Sequence, residues 1–150
     1  MIDPIQRFEE EHQHALGEVE KLEAAARALA AGATGDVADA QLEAARAAHE
    51  FLSTAVREHN ENEELALFSV LGDEAPTEPF VEDHVAIRAM ERRLLAAIEA
   101  RDTTETAAAG LAIVDVLRDH IDREDNALFP MARELLGPEG LLEVARRLEG

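Results

Sequence analysis

Two segments of this 150-residue chain carry the same potential metal-binding residues at the same spacing. They read HNENEELALF over 59–68 and HIDREDNALF over 120–129, and five of the ten positions are identical. Agreement of this kind indicates an internal duplication. Each copy places a His and a Glu four residues apart, which is one turn of a helix. An imidazole and a carboxylate on one helical face can bind the same metal ion.

The composition excludes several other kinds of chemistry. The chain has no Cys, so it cannot form disulfides, thiolate metal sites or iron–sulfur clusters. It also has no Trp and no Tyr. Its formal net charge of -19 repels nucleic acid and anionic membranes, so we expect neither as a partner. The N-terminal residues do not resemble a signal peptide, and no apolar run approaches ~18 residues. We therefore expect a cytoplasmic protein.

The distribution of residue types predicts an all-α fold. Ala, Leu, Glu and Arg dominate, and Gly and Pro fall in clusters that separate four long segments. The predicted helices span about 4–31, 36–71, 78–101 and 102–136, with Asp3 and Gln6 forming a capping box at the start of the first. A short C-terminal helix follows at about 138–149. Four such helices predict an up-down-up-down four-helix bundle over about 3–136, within one domain covering 1–150.

In such a bundle, the starts of the first and third helices lie at the same end as the finishes of the second and fourth. Counting ~1.5 Å per residue places His12 and Glu63 each roughly 12 Å from that end, with His84 roughly 9 Å and Glu124 roughly 18 Å from it. Each odd helix thus contributes one His, and each even helix a His and a Glu. The predicted metal ligands are His12, His59, Glu63, His84, His120 and Glu124.

Four imidazoles and two carboxylates exceed what one zinc ion binds. They suit two iron or manganese ions, each held by two His, with both carboxylates bridging. An oxide or hydroxide bridge could offset further charge, and one coordination position would stay open for a small ligand. The spacing alone leaves manganese open, and a helical protein that binds zinc adventitiously is a further alternative.

At these residues the chain resembles the hemerythrin-like, HHE cation-binding family. The matching segments are FEEEHQHAL, HNENEELALF, EDHVAIR and HIDREDNALFP, and together they extend over residues 3 to about 136. The resemblance implies a four-helix bundle around a non-haem di-iron site that binds O₂ or related small molecules. It therefore favours two iron ions over manganese.

Two positions depart from the oxygen-carrying hemerythrins. Those proteins place a second His four residues after the third-helix His, where this chain has Arg88. They also commonly use an Asp at the position of Asp125, whereas we prefer Glu124 because it repeats the offset of Glu63. Glu64 and Asp125, the residues that follow the two Glu, are interpreted equally well as surface acids or as hydrogen-bond partners of the ligands.

The functional hypothesis is a non-haem di-iron protein that binds or reduces a small diatomic or peroxide ligand, namely O₂, peroxide or NO. An oxidoreductase activity toward peroxide or NO is as compatible with the residues as binding alone. The alternative is an iron- or oxygen-sensing module, or an iron-binding module, without turnover. The sequence identifies no protein partner.

Three further residues near the predicted ligands are interpreted separately. His14 is expected on the surface, because it lies about 200° around the helix from His12. His49 is expected to be a core or channel residue. Arg88 is expected to lean inward and to pair with Glu91 or with a ligand carboxylate.

Overall fold

The computed structural model describes residues 3–150, and the regular structure over this range is entirely helical, which confirms the predicted all-α class. We number the helices α1 (Pro4–Ala30), α2 (35–71), α3 (Glu78–Glu99), α4 (103–136) and α5 (138–149). A short 3₁₀ turn, Gly72–Glu74, follows α2. Within residues 3–150, no helix is long and apolar enough to cross a membrane.

Acidic side chains begin two of the long helices. The Ile5 backbone N–H donates to Asp3 Oδ1 over 2.9 Å, and Pro4 opens α1. The predicted capping box is wrong in its second half, because Gln6 Nε2 donates to Glu10 instead of returning to the cap. At the start of α4, the backbone N–H of Glu105 donates to Asp102 over 3.0 Å. These caps satisfy backbone donors that the first turn leaves free.

Glycines with positive φ end two helices. Gly72 has φ 55° after α2, and Gly137 has φ 61° between α4 and α5. L-residues with a side chain rarely adopt this conformation, so Gly permits the chain to turn at both places.

The four long helices pack around a common core, with α1 against α2 and α4, and α3 against α2 and α4. Gly110 of α4 packs directly against α1. A Cβ at this position would lie 3.2 Å from Ala26 Cβ and 3.4 Å from Leu22 Cδ1. The absence of a side chain there lets the two helices pack closely.

Two apolar clusters lie on either side of the predicted ligands. One contains Ile5, Phe8, Phe68, Phe80 and Phe129, and the other contains Val19, Leu52, Ile87, Leu94 and Leu117. The six predicted ligands therefore lie between these two apolar clusters.

Both even helices contain π-helical turns, in which one more residue is accommodated per turn than in an α-helix. They span Leu52–Val56 and Glu63–Phe68 in α2 and Glu124–Leu128 in α4. Two of the three begin at the Glu residues of the duplicated segments. π-turns inside α-helices often occur at functional sites, and the sequence analysis did not predict them.

Candidate metal centre

The structure brings all six predicted ligands together in the core. We call His12, His59, Glu63, His84, His120 and Glu124 the six-residue cluster. Glu63, His84 and Glu124 have no exposed surface, and the most exposed member, His59, is only 8% exposed. The cluster divides into two groups that share both Glu, one with His12 and His59 and the other with His84 and His120. Within each group, one ligand atom per residue lies within 4.8 Å of all the others.

The distances between donor atoms match those expected around metal ions. Glu63 Oε2 is 3.2 Å from His59 Nε2, while Glu63 Oε1 is 3.2 Å from His84 Nε2, so this carboxylate faces both groups. Glu124 Oε1 lies 3.0 Å from His12 Nε2 and 3.3 Å from His120 Nε2. Two ligands at about 2.1 Å from one ion and at right angles to each other would be separated by about 3.0 Å.

Eight polar atoms of the cluster have no hydrogen-bond partner although they are buried. They are the Nε2 atoms of all four His and both carboxylate oxygens of Glu63 and of Glu124. Burying an unpaired polar atom is costly, and the cost is greater for a carboxylate. Four nitrogens and four oxygens that converge without bonding one another form a donor set suited to metal cations.

A carboxylate lies against the other ring nitrogen of every cluster His. His12 Nδ1 is 2.7 Å from Asp125, His59 Nδ1 is 2.8 Å from Glu11, His84 Nδ1 is 2.9 Å from Glu64, and His120 Nδ1 is 2.9 Å from Asp83. We call Glu11, Glu64, Asp83 and Asp125 the outer carboxylates. An ionised carboxylate only accepts hydrogen bonds, so each Nδ1–H donates and each Nε2 keeps its lone pair directed into the cluster.

The outer carboxylates follow the same internal symmetry as the cluster. Glu11 directly precedes His12 in α1, and Asp83 directly precedes His84 in α3. Glu64 and Asp125 directly follow the cluster residues Glu63 and Glu124. Glu64 and Asp125 are therefore hydrogen-bond partners of cluster His. The sequence analysis missed Glu11 and Asp83, although the acid before each lone His was a repeated signal that could have identified them.

The two Glu of the cluster are electrostatically unfavourable together. Burial and the neighbouring Glu124 carboxylate raise the pKa of Glu63 well above its usual value. Two carboxylates without solvent and without a cation repel each other, and a proton on one of them reduces the repulsion. Bound cations would offset the same charge without protonation.

Phenylalanine rings pack against the imidazoles on the side of the cluster toward the bundle end. Phe129 stacks on His12 with centroids 5.4 Å apart, and Phe68 stacks on His84 with centroids 5.9 Å apart. Phe68 and Phe129 are the last residues of the two duplicated segments. They restrict rotation of the rings and keep water from this side.

A cavity of about 300 Å³ adjoins the other side of the cluster, between α1 and α2, and we call it the α1–α2 cavity. His12, His59 and His120 line its inner end, and Leu117 and Ile121 form part of its apolar wall. The cavity thus reaches both His of one group but only one His of the other.

The three other residues discussed in the sequence analysis, His14, His49 and Arg88, lie outside the cluster. His14 is exposed, as expected, at the opening of the α1–α2 cavity. His49 is only half-buried and lies in neither ligand group. The predicted pairing of Glu91 with Arg88 is wrong. Arg57 reaches Glu91 from α2, with Nη2 3.1 Å from Oε2, and the Arg88 side chain is half-buried.

These features define a class of protein: a helical fold that encloses a His- and carboxylate-lined centre suited to metal cations. The model of the family described as "Hemerythrin: Hemerythrin HHE cation binding domain" matches residues 3–132. The chain therefore belongs to the hemerythrin HHE cation-binding family, which suggests metal binding, typically of iron. No curated protein matches the chain.

Proposed function

We propose that the protein is a non-haem di-iron protein that binds or reduces O₂, peroxide or NO at the six-residue cluster. His12 and His59 would hold one ion, His84 and His120 the other, and Glu63 and Glu124 would bridge them. The observation that carries this proposal is the set of eight buried donor atoms without partners, distributed as two nitrogens and shared oxygens per ion. Imidazole and carboxylate together suit iron, which is also the metal that the family suggests.

A pair of iron ions would supply two electrons and open coordination positions for a small exogenous ligand. The chain's own residues supply the surroundings. The outer carboxylates fix the tautomer and orientation of each His. With metal bound, Glu63, Glu124 and the four outer carboxylates would contribute six negative charges, which would balance two trivalent cations and favour the oxidised centre. Phe68 and Phe129 exclude water from one side, and the α1–α2 cavity admits the ligand from the other.

We also infer the up-down-up-down order of the helices, on the basis of side-chain contacts. Near the start of α1, His12 contacts Asp125 late in α4, while Ala26 near the end of α1 packs beside Gly110 early in α4. Between α3 and α4, Asp83 contacts His120 and the later Arg93 contacts the earlier Glu105. This order places the duplicated segments at one end of the bundle, as the ligand assignment requires.

The metal content and optical spectrum of protein purified from iron-replete cells test the di-iron proposal. We expect two irons per chain, together with the charge-transfer absorption of a coupled ferric pair. Glu63→Gln and Glu124→Gln should each lose one or both irons. Full iron occupancy in both variants would contradict the assignment of these carboxylates as bridges. Stoichiometric zinc in place of iron would contradict the choice of metal.

Anaerobic addition of O₂, H₂O₂ or NO to the reduced protein then separates binding from turnover. A catalyst consumes many equivalents of one ligand when a reductant is supplied. A protein that only binds or senses stops at a stoichiometric spectral change. The second outcome would favour the iron- or oxygen-sensing alternative.

A further inference from the structure

The α1–α2 cavity is much larger than the small ligands considered above. Its volume is about 300 Å³. One water occupies roughly 30 Å³ in the liquid, and an apolar cavity of about 150 Å³ is sufficient for benzene. The cavity therefore has space for an aromatic ring together with several further heavy atoms. O₂, NO or H₂O₂ would fill only a small part of it.

The wall of the cavity is apolar between its two ends. Phe51, Val56, Leu117 and Ile121 line the middle, and His12 and His59 lie at the inner end. In the loaded protein these two His would hold one metal ion, so the inner end of the cavity would border that ion. An amphipathic ligand would thus find apolar contacts along its length and the metal site at the inner end. Ligand pockets with a few converging polar groups in an apolar wall typically bind small organic molecules.

The charge at the opening selects against anions. Glu58 and His14 lie there beside the exposed Ala55, Glu11 lies further in against His59, and the lining contains neither Lys nor Arg. The chain as a whole carries a formal charge of -19. A carboxylated ligand would have to pass these acids, and no Lys or Arg lines the cavity to attract it. The cavity therefore favours a neutral molecule.

We propose that the α1–α2 cavity binds a neutral organic hydroperoxide of about ten heavy atoms, with the –OOH group at the His12 and His59 end. Its reduction rests on the proposed di-iron function. The O–O bond breaks, the organic part leaves as an alcohol, and the terminal oxygen leaves as water. Two protons would come from solvent, and bound iron would supply the two electrons, which an added reductant would replace.

Binding can be tested separately from turnover with the product alcohol. Isothermal titration calorimetry of the purified ferric protein with 2-phenylpropan-2-ol should show saturable binding. The matched anion, 4-(2-hydroxypropan-2-yl)benzoate, should bind at least ~10-fold more weakly. No measurable binding of the neutral alcohol, or equal binding of the anion, would overturn the proposal.

Two variants reduce the cavity from different directions. Ala55→Trp adds a large side chain at the opening, and Val56→Phe fills the wall from inside. Each should weaken alcohol binding and slow the oxidation of the ferrous protein by cumene hydroperoxide at least ~10-fold, with less than ~2-fold change for H₂O₂. Ala47→Trp is the matched control, because Ala47 is also exposed on α2 but does not line the cavity.

The results distinguish failure of this inference from failure of the di-iron function. If the protein holds two irons and reacts with H₂O₂ but Ala55→Trp and Val56→Phe behave like Ala47→Trp, the cavity proposal is wrong and the di-iron proposal stands. If iron is absent but the alcohol binds and both cavity variants abolish its binding, the cavity site stands and the di-iron function is wrong. Circular dichroism of each variant verifies that it is folded.

Discussion

The buried Glu pair should make the effect of Glu63→Gln on stability change sign when metal is removed. With metal bound, Glu63 faces both ligand groups, so its replacement removes a shared ligand and destabilises the loaded protein. Without metal, the same replacement removes one of two carboxylates that repel each other in the core. Gln has nearly the same shape, so the packing is little changed.

The expected gain in the metal-free protein follows from the spacing of the two carboxylates. Their ligand atoms lie within 4.8 Å of each other. At this separation and an effective dielectric constant of about 20, two unit charges repel by about 3 kcal/mol. Protonation of either carboxylate lowers this value. For a chain of this length it corresponds to an increase in Tm of up to roughly 10 °C.

The gain should also depend on pH in a defined direction. The folded-state pKa of Glu63 is raised, so the folded metal-free protein binds a proton more tightly than the unfolded chain does. Ionisation therefore costs stability as pH rises above the ordinary Glu value of 4.5. Glu63→Gln should stabilise the metal-free protein at neutral pH, and its effect should fade as pH falls below that value.

Thermal unfolding followed by circular dichroism, with chelator or with iron, measures both effects. Glu61→Gln is a control on the surface, because Glu61 is exposed in the same segment. Glu91→Gln is a control in the core, because Glu91 is buried outside the cluster and its effect should not depend on metal. Equal shifts for Glu63→Gln with and without iron, or a metal-free shift independent of pH, would refute the reasoning.

Three further predictions concern residues around the cluster. Asp83→Asn removes the ionised acceptor of His120 and should weaken metal binding about 10- to 100-fold in chelator competition. Arg57→Leu leaves the buried Glu91 without its ion pair, so chemical denaturation should show a loss of about 1–2 kcal/mol in the free energy of unfolding. Hydrogen bonds from Arg118 and Arg27 lower the pKa of Glu23 to about 2. Its contribution to stability is therefore present above pH 4.5 and lost as pH falls toward 2, so the difference in Tm between wild type and Glu23→Gln should shrink over that range.

Each of these predictions has a matched control. Asp119→Asn alters an exposed Asp one residue before His120 and should leave metal affinity unchanged. Arg88→Leu should cost less stability than Arg57→Leu, since it leaves the ion pair of Glu91 intact. Glu134→Gln, an exposed change near the end of α4, should give a Tm difference that does not vary with pH. If a control variant changed the measured affinity or stability as much as its test variant does, the contact assigned to the test residue would be contradicted.

Much of the fold could be predicted from the sequence because its signals are local. Asp3, Asp102, Gly72 and Gly137 act through their own turns, so the helix ends lie within about two residues of the predicted positions.

The candidate site was predictable only in part. The duplication identified the His and Glu positions, and the structure brings them together, although their role as ligands stays a prediction. The choice between Arg57 and Arg88 depended on how α2 and α3 approach each other, which no local pattern specifies. The contacts of Glu11 with His59 and of Asp83 with His120 likewise join different helices. The repeated position of these acids beside a His could have indicated them as candidates, but not which His each one contacts.

The hydrogen bonds of the outer carboxylates have a mechanical consequence. They join α1 to α4, α4 to α3, α3 to α2 and α2 back to α1, so each helix is tied to both of its neighbours at one cross-section of the bundle. No helix can separate from this closed ring of hydrogen bonds without breaking two of the four. Amide hydrogens of all four helices at this level should therefore exchange through one common opening event. Amide hydrogens at helix ends far from this ring should exchange independently of it.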